Sequence, residues 1–487
     1  MATNTNDEQQ PLHILFFPYI APGHLIPIAD MAALFASRGV KCTILTTPVN
    51  AAVIRSTVDQ ANDALDSSTD DTPAIVITTV PFPDVGLPPG MESVVGVSSE
   101  ADLYKLLEAT NQLREPLDRF LAEHRPDAVV ADSFFPWAVD AAARHGVPRL
   151  SFLGASMLAR ACTDAMVRNN PVQDAADGPD AVVALPGLPH RVALRRSQLM
   201  DPRKNKLEWD YYDLANDADQ RSFGEVFNSF AELEPGYVDH YRTVLGRRVW
   251  LVGPLAHAVS NGLSPDGERC LRWLDGKPAG SVVYACFGTL THFTAAERGE
   301  LARGLQLSGK NFIWVLSSGA DDDTEWMPEG FAELIADGGD RGLVFRGWAP
   351  QMLILNHSAV GCFVTHCGWN SVLEAVSAGV PMVTWPRYAD QFYNEKLIVE
   401  LLKVGVSLGA ADYASKLEVR NRVISGENIA EAIGAVLSED EESEAIRSKV
   451  KELGAKAKQA TEKGGSSYED VQQLIHELIS RRRSVRV

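Results

Sequence analysis

WAPQMLILNHSAVGCFVTHCGWNSVLEAVSAGVPMVTWPRYADQ, residues 348–391, moves from an aromatic residue through a strand, a turn and a helix to a second strand. The run at 360–365 is apolar up to its final Thr365, as a strand covered on both faces must be. HCGWN at 366–370 is a tight turn, and 370–378 reads as a helix, with Gly379 just past its end and Pro381 beyond. Strand, helix and strand in that rhythm make a βαβ unit of a parallel sheet.

The start of that helix exposes unpaired N–H groups and the positive end of its dipole, a ready anion site. His366, Asn370 and Ser371 stand beside it. Glu374 falls one turn on, on the face of Asn370, where a carboxylate can accept from two neighbouring hydroxyls. Trp348 offers a ring on which a flat base can stack, worth about 1–3 kcal/mol. Asp390 and Gln391 follow the strand 381–385, at the carboxyl edge where doubly wound sheets bind ligands. Taken singly, a Trp is core packing and Asn-Ser at a helix start is a cap. In this order they provide for a base, a diphosphate, a ribose and a sugar.

The same rhythm runs through the first half. Residues 13–19 form an apolar run, 21–24 a turn, and 25–37 a helix with Leu25, Ile28, Ala29, Ala32 and Ala33 at helical spacing. Gly39 marks its stop before a strand at 41–46, and 127–131 is another strand, ending at Asp132. Residues 66–72 and 171–189 read as loops. Turn residues cluster over 253–280, after which the rhythm restarts with a strand at 281–287. Thr294 to Glu297 is a capping box opening a helix through Leu305, and 311–316 is the next strand. Residues 429–479 read as helical, interrupted at Gly464-Gly465, with Arg481 to Arg483 as a solvated helix end. The fold class is therefore α/β, built of parallel βαβ units in each half.

Bulk properties agree. A chain of 487 residues suits two domains rather than one core. A net charge of −19 excludes nucleic acid as a partner, because phosphate contacts need clustered cations. It also means that an anionic ligand must be held by local dipoles or donors. The first ten residues lack the basic start and apolar run of a secretion signal, and no stretch of about 18 apolar residues offers a membrane span. A cytoplasmic protein is expected, with its six scattered cysteines reduced. Cys362, His366 and Cys367 have no second ligand pair at zinc-site spacing. Asp321, Asp322 and Asp323 read as a solvated charge run rather than a metal site.

His24 stands where the chain enters its first helix, and Asp132 ends another strand. If those strands are neighbours, the two side chains meet on a cleft floor. A neutral imidazole is then a suitable base for a hydroxyl near neutral pH. A carboxylate behind it fixes its tautomer and stabilises the imidazolium. By itself, a His beside Pro-Gly is more often a packing or capping residue.

The 348–391 segment resembles the signature box of plant family-1 UDP-dependent glycosyltransferases. PYIAPGHLIPIADMA at 18–32 and ADSFFPWAVDAA at 131–142 resemble the branch that glucosylates phenolics and terpenoids. The resemblance implies a GT-B architecture, two Rossmann-like domains facing across a cleft. Residues 1–252 would take the acceptor, 253–280 link, 281–465 take the donor, and 466–487 return to the first domain. It implies that Trp348 stacks on uracil, Ala349 binds uracil through its backbone, and Gln351 lies near the ribose. Glu374 would hold the ribose, His366, Asn370 and Ser371 the diphosphate, and Trp369, Asp390 and Gln391 the sugar. Thr289 stands where members of the family commonly have Ser. His24 and Asp132 occupy the positions of the base and its orienting acid. Phe134, Phe135, Trp137, Met157, Arg387 and Tyr388 flank the catalytic positions and are candidates to line the acceptor pocket, where Arg387 would pair with an acidic acceptor.

The expected reaction is inverting transfer of glucose from UDP-glucose to a hydroxyl of a small hydrophobic aromatic or terpenoid acceptor, giving a β-glucoside. UDP-glucose is a co-substrate, and no metal or other cofactor is expected. A monomer is expected. Another UDP-sugar, or a nitrogen, sulfur or carboxyl acceptor, is the nearest alternative. A nicotinamide-dependent oxidoreductase would need a G-x-G-x-x-G after the first strand, which is lacking. A non-catalytic nucleotide-sugar binder would bind UDP-glucose without consuming it.

Overall fold

The computed structural model describes residues 11–66, 75–255, 264–316, 325–336, 341–414 and 422–486. Two parallel sheets organise the chain. The first contains β1 (His13–Phe17), β2 (Lys41–Thr46), β3 (Ile75–Thr79), β4 (Ala128–Asp132) and β5 (Arg149–Phe152). After a separate antiparallel hairpin of β6 (Val182–Leu185) and β7 (Val192–Arg195), β8 (Gly224–Phe227) and β9 (Val249–Leu251) complete it in the order β3-β2-β1-β4-β5-β8-β9. The second sheet contains β10 (Val282–Cys286), β11 (Asn311–Leu316), β12 (Gly342–Arg346), β13 (Val360–Thr365), β14 (Met382–Thr384) and β15 (Gly405–Ser407), ordered β12-β11-β10-β13-β14-β15.

Both sheets are Rossmann-like, and helices cover them because their central strands are apolar on both faces: all five residues of β4 and all six of β13 are buried. In each sheet the winding reverses at the centre, between β1 and β4 and between β10 and β13. Phe17 pairs with Ala131 and Cys286 with Thr365 at the carboxyl ends of those strands. The crevice just beyond such a reversal is where open α/β sheets receive ligands.

Several expectations change. The Pro171–Asp174 helical turn and β6 lie within the stretch read as a loop; the alternating burial of Val182 to Leu185 was hidden between turn residues. The proposed linker contains a helix, Pro265–Asp275, capped by the Ser264 hydroxyl on Gly267 N–H and started by Pro265. The helical tail breaks at 438–440 as well as at Gly464-Gly465, giving Gly426–Leu437, Glu441–Thr461 and Ser466–Arg486. The last of these carries Val471, Leu474, Ile475 and Leu478 into the core of the first sheet beside Trp250 and Val252. Asp470 accepts the N–H of Leu251 (2.9 Å). Arg482 is not a solvated end: it pairs with Asp127 at 3.3 Å and is largely buried. The Asp321–Asp323 run, and most of the loop read at 66–72, lie outside the described residues. Among the described residues no helix is long and apolar enough to cross a membrane.

Candidate functional site

The helix Pro22–Ala36 starts directly beyond β1, with Pro22 supplying its first turn, so His24 lies inside the helix start rather than on a preceding turn. Asp132 is the last residue of β4 and is fully buried. Because β1 and β4 are adjacent, His24 Nδ1 and Asp132 Oδ2 meet at 2.7 Å. The other carboxylate oxygen accepts the Phe134 N–H at 2.9 Å, which fixes the group's rotation. Burial works to lower the His24 pKa, but the charge and hydrogen bond of Asp132, helped by the charge of Asp390, outweigh it and raise it. Nδ1 is therefore the protonated nitrogen of the neutral ring, and Nε2 is left as the basic one.

The second half contributes the facing wall. The helix Trp369–Ala378 begins one residue earlier than the sequence pattern predicts and has no side-chain cap. Its first-turn N–H groups are thus not spent on a cap. Asn370 Nδ2 donates to the Gly23 carbonyl at 3.0 Å, joining this helix start to the first turn of the helix that carries His24. Asn370 Oδ1 and His366 Nδ1 are buried, and among the described residues neither has a partner. Burial, reinforced by Arg387, lowers the His366 pKa to about 4, so this imidazole is neutral. Glycine shapes its cradle: a Cβ on Gly288 would lie 2.7 Å from His366 Nε2, and one on Gly368 2.5 Å. Thr289 follows Gly288 and is exposed beyond β10.

Trp348 presents 68% of its surface to solvent, an unusual exposure for an indole and one that leaves its face available. Ala349 is buried, and its carbonyl accepts Gln351 N–H at 2.8 Å. The amide of Gln351 is a hub: it accepts from Tyr284 Oη (3.1 Å) and donates to Ser371 Oγ (3.1 Å) and Glu374 Oε2 (2.5 Å). Glu374 is thereby aimed, and burial raises its pKa to about 7 against that hydrogen bond. Burial likewise raises Asp390 to about 6, with the Asn394 hydrogen bond opposing. Gln391 Oε1 accepts from the N–H groups of Arg387 (2.9 Å) and Tyr388 (3.2 Å), which turns its NH2 end the other way. Glu374 takes up a proton near neutrality and Asp390 only below it, so the first of these carboxyls softens the repulsion an anionic ligand would meet in so acidic a chain.

Trp369 is placed differently from what contact with a sugar would require of its ring. The indole is buried and donates to the Asn228 carbonyl at 2.7 Å, tying the two halves together, so only its backbone remains for a ligand. Among the residues expected to line an acceptor pocket, Phe134 is partly exposed, 5.5 Å from the His24 ring between centroids. Tyr388 is partly exposed on the opposite wall. Trp137 packs on Phe17 and Phe135 in the first core. Phe135 and Met157 are fully buried core residues. Arg387 is not free for an acidic acceptor: it is 1% exposed and pairs with Glu297 at 2.7 Å, its guanidinium over Phe293. Cys362 and Cys367 are buried thiols, and burial raises the pKa of both.

Three rings escaped the sequence reading. Tyr19 lies edge-on to His24 at 5.6 Å, and Tyr211 and Tyr212 each flank Phe134 at 5.6 Å. Tyr211 also donates to the Phe134 carbonyl at 2.6 Å. The two tyrosines sit on the helix Lys206–Gln220, far along the chain, and no local spacing marks them. The resulting cleft has a base on one wall, an anion cradle and an exposed indole on the other, and an aromatic rim. It can deprotonate a hydroxyl and receive a charged leaving group in one enclosure.

Residues 261–446 match the family model described as "UDP-glucoronosyl and UDP-glucosyl transferase". An anthocyanin 3'-O-beta-glucosyltransferase of Gentiana triflora is 42% identical, the match covering 96% of this chain and 98% of that protein. A scopoletin glucosyltransferase of Nicotiana tabacum is also 42% identical, over 96% and 98%. Among solved structures, a Glycyrrhiza uralensis enzyme complexed with glycyrrhetinic acid 3-O-monoglucuronide superposes with a TM-score of 0.89 at 36% identity, covering 98% of each chain. A Medicago truncatula protein complexed with UDP-glucose gives a TM-score of 0.79 at 26% identity, covering 98% of this chain and 100% of that one.

Proposed function

The chain belongs to the family of plant UDP-dependent glycosyltransferases with the GT-B fold, and we propose that it transfers glucose from UDP-glucose to a hydroxyl of a small aromatic acceptor with inversion. The observation that carries the mechanism is the meeting of the 2.7 Å His24–Asp132 pair with the helix start of Asn370, 3.0 Å from Gly23.

Chemically, His24 Nε2 takes the proton of the acceptor hydroxyl as its oxygen attacks the anomeric carbon. The bond from that carbon to the diphosphate oxygen breaks on the opposite face, and its electron pair leaves with UDP. An α-linked donor thus yields a β-glucoside. Asp132 stabilises the imidazolium, and the proton then passes to solvent. The charge that grows on the diphosphate is met by the N–H groups of the Trp369–Ala378 helix start with His366, Asn370, Ser371 and Thr289, a preorganised electrostatic contribution. In this reading Trp348 and Ala349 hold the uracil, while Glu374, aimed by Gln351, holds the ribose. Asp390, Gln391 and the Trp369 backbone meet the sugar. No metal is required.

The acceptor class rests on two supports. Relatives at 42% identity are named for anthocyanin and scopoletin, both small aromatics. Beside His24 lies a rim of Tyr19, Phe134, Tyr211 and Tyr212. We take residues 1–252 as the acceptor domain and 281–465 as the donor domain, with the last helix returning to the first. The protein is proposed to act as a cytoplasmic monomer. The test is His24→Ala assayed with UDP-glucose and a phenolic panel in chelator: glucoside formation should vanish while UDP affinity stays within about twofold. Loss of UDP affinity in step with activity, or a requirement for added magnesium, would refute the reading.

A further inference from the structure

Asn394 is fully buried and sits on the short helix Gln391–Glu395, one turn beyond Asp390. Its NH2 donates twice, to the Cys367 carbonyl at 2.9 Å and to Asp390 Oδ2 at 2.8 Å. Its carbonyl oxygen accepts from Ser156 Oγ at 2.9 Å. Ser156 caps the helix Met157–Asn169 of the first half and itself accepts Ala159 N–H at 2.9 Å, so its proton is directed at Asn394. The amide cannot flip without facing its NH2 to a hydroxyl that is already donating and its oxygen to two acceptors. Cys367 stands at φ 65° in the donor turn, a left-handed conformation that a non-glycine residue holds only when its surroundings insist.

We propose that Asn394 is a positioning residue for the sugar end of the donor site, locking Asp390 and the Cys367 turn together and referencing both to the first half through Ser156. The inference rests on the reading of Asp390 as a sugar contact. It goes further by assigning a function to a residue that touches neither UDP nor the reacting atoms. Asp390 is faced by His24 from the first helix, Tyr212 from the helix Lys206–Gln220, Cys367 from the donor turn and Tyr388 from its own loop. Of these only His24 carries a positive charge, and only when protonated. The Asn394 amide, helped by the backbone N–H of Asp390 itself, is thus the fixed side-chain donor that opposes burial and holds the Asp390 carboxyl down.

The sign follows. Burial holds the Asp390 carboxyl at about 6, and the Asn394 hydrogen bond acts downward. Removing that bond moves the carboxyl up by about one pH unit. Asn394→Leu should therefore raise KM for UDP-glucose three- to tenfold near pH 6, converging on the parent by about pH 8.5 as Asp390 ionises again. The Kd of UDP, which lacks the sugar, should stay within about twofold throughout. Ser156→Ala, which frees the far end of the amide and also uncaps the helix Met157–Asn169, should lower the melting temperature and show the same pH-dependent rise in KM at about twofold. The proposal is overturned if either soluble variant lowers kcat at unchanged KM across the whole pH range, as lost packing alone would do. Asp390→Asn separates the two claims. If it too leaves KM for UDP-glucose unchanged, the reading of Asp390 fails; if it raises KM while Asn394→Leu does not, only the role of Asn394 fails.

Discussion

Replacing Asp132 with Asn tests the core of the mechanism with almost no change in volume. Oδ1 can go on accepting from Phe134 N–H, which puts the new NH2 where Oδ2 now faces His24 Nδ1. Nδ1 must then accept, the ring proton moves to Nε2, and the nitrogen that should take the acceptor's proton is blocked. The charge that stabilises the imidazolium is lost as well. Two unit charges about 4 Å apart at an effective dielectric near 20 interact by about 4 kcal/mol. That corresponds to a fall in kcat of about a thousandfold. No water can substitute, because Asp132 is 0% exposed. The assay is initial-rate glucoside formation across pH 5.5–9, paired with calorimetric UDP binding.

Two pH signatures should accompany the loss. In the parent the base must be neutral, so the rate climbs with pH through a midpoint above the ordinary 6.5 of histidine. In Asp132→Asn burial still lowers the His24 pKa while its main raising partner is gone, so the residual activity climbs at lower pH. Stability runs the other way. A histidine whose pKa is raised on folding contributes most below its unfolded pKa, and that contribution fades as pH rises through the folded value. The variant's deficit in melting temperature should therefore be larger at pH 6 than at pH 8.5. A kcat within tenfold of the parent, or a parallel collapse of UDP binding, would refute the reasoning.

Three further outcomes are expected. Trp348→Ala should weaken UDP-glucose binding by about 1–3 kcal/mol, read as KM, with kcat nearly unchanged; an unaltered KM would show that the indole touches no ligand. Glu374 is raised to about 7 on folding, so its contribution to stability is present below its unfolded value and lost as pH rises through 7. Glu374→Gln should accordingly melt higher than the parent above pH 7 without ligand, yet lose UDP affinity and its rise between pH 6 and 8; equal melting and affinity would count against both roles. Arg387→Met takes the guanidinium from the buried Glu297 carboxylate, whose other oxygen keeps its Thr294 bonds, and should cost about 3–5 kcal/mol in urea unfolding, whereas a loss under about 1 kcal/mol would show the pair to be dispensable.

The strand-turn-helix at 360–378 was legible because both of its signals are local: a run apolar up to Thr365 for a strand buried on two faces, and Gly379 with Pro381 to stop a helix. Local rules also marked Glu374 one turn from Asn370, and the same helical spacing from Asp390 to Asn394 was there to be read. Hairpin β6–β7 and the helix at Pro265–Asp275 were missed because turn residues dominate their flanks, and short elements owe their stability to what they pack against.

Which strands become neighbours is a matter of long-range pairing. The adjacency of β1 and β4, which brings His24 to Asp132 across 108 positions of chain, came from the tertiary structure. So did the burial of Trp369 against Asn228, the capture of Arg387 by Glu297, and the arrival of Tyr211 and Tyr212 beside Phe134. The sequence by itself determined periodicity, caps and the chemical kinds of side chain, because those depend on residues within a few positions of one another. Only the folded chain decided which polar groups were used up inside the molecule and which still face the cleft, because desolvation and partnership depend on neighbours that the linear order does not specify.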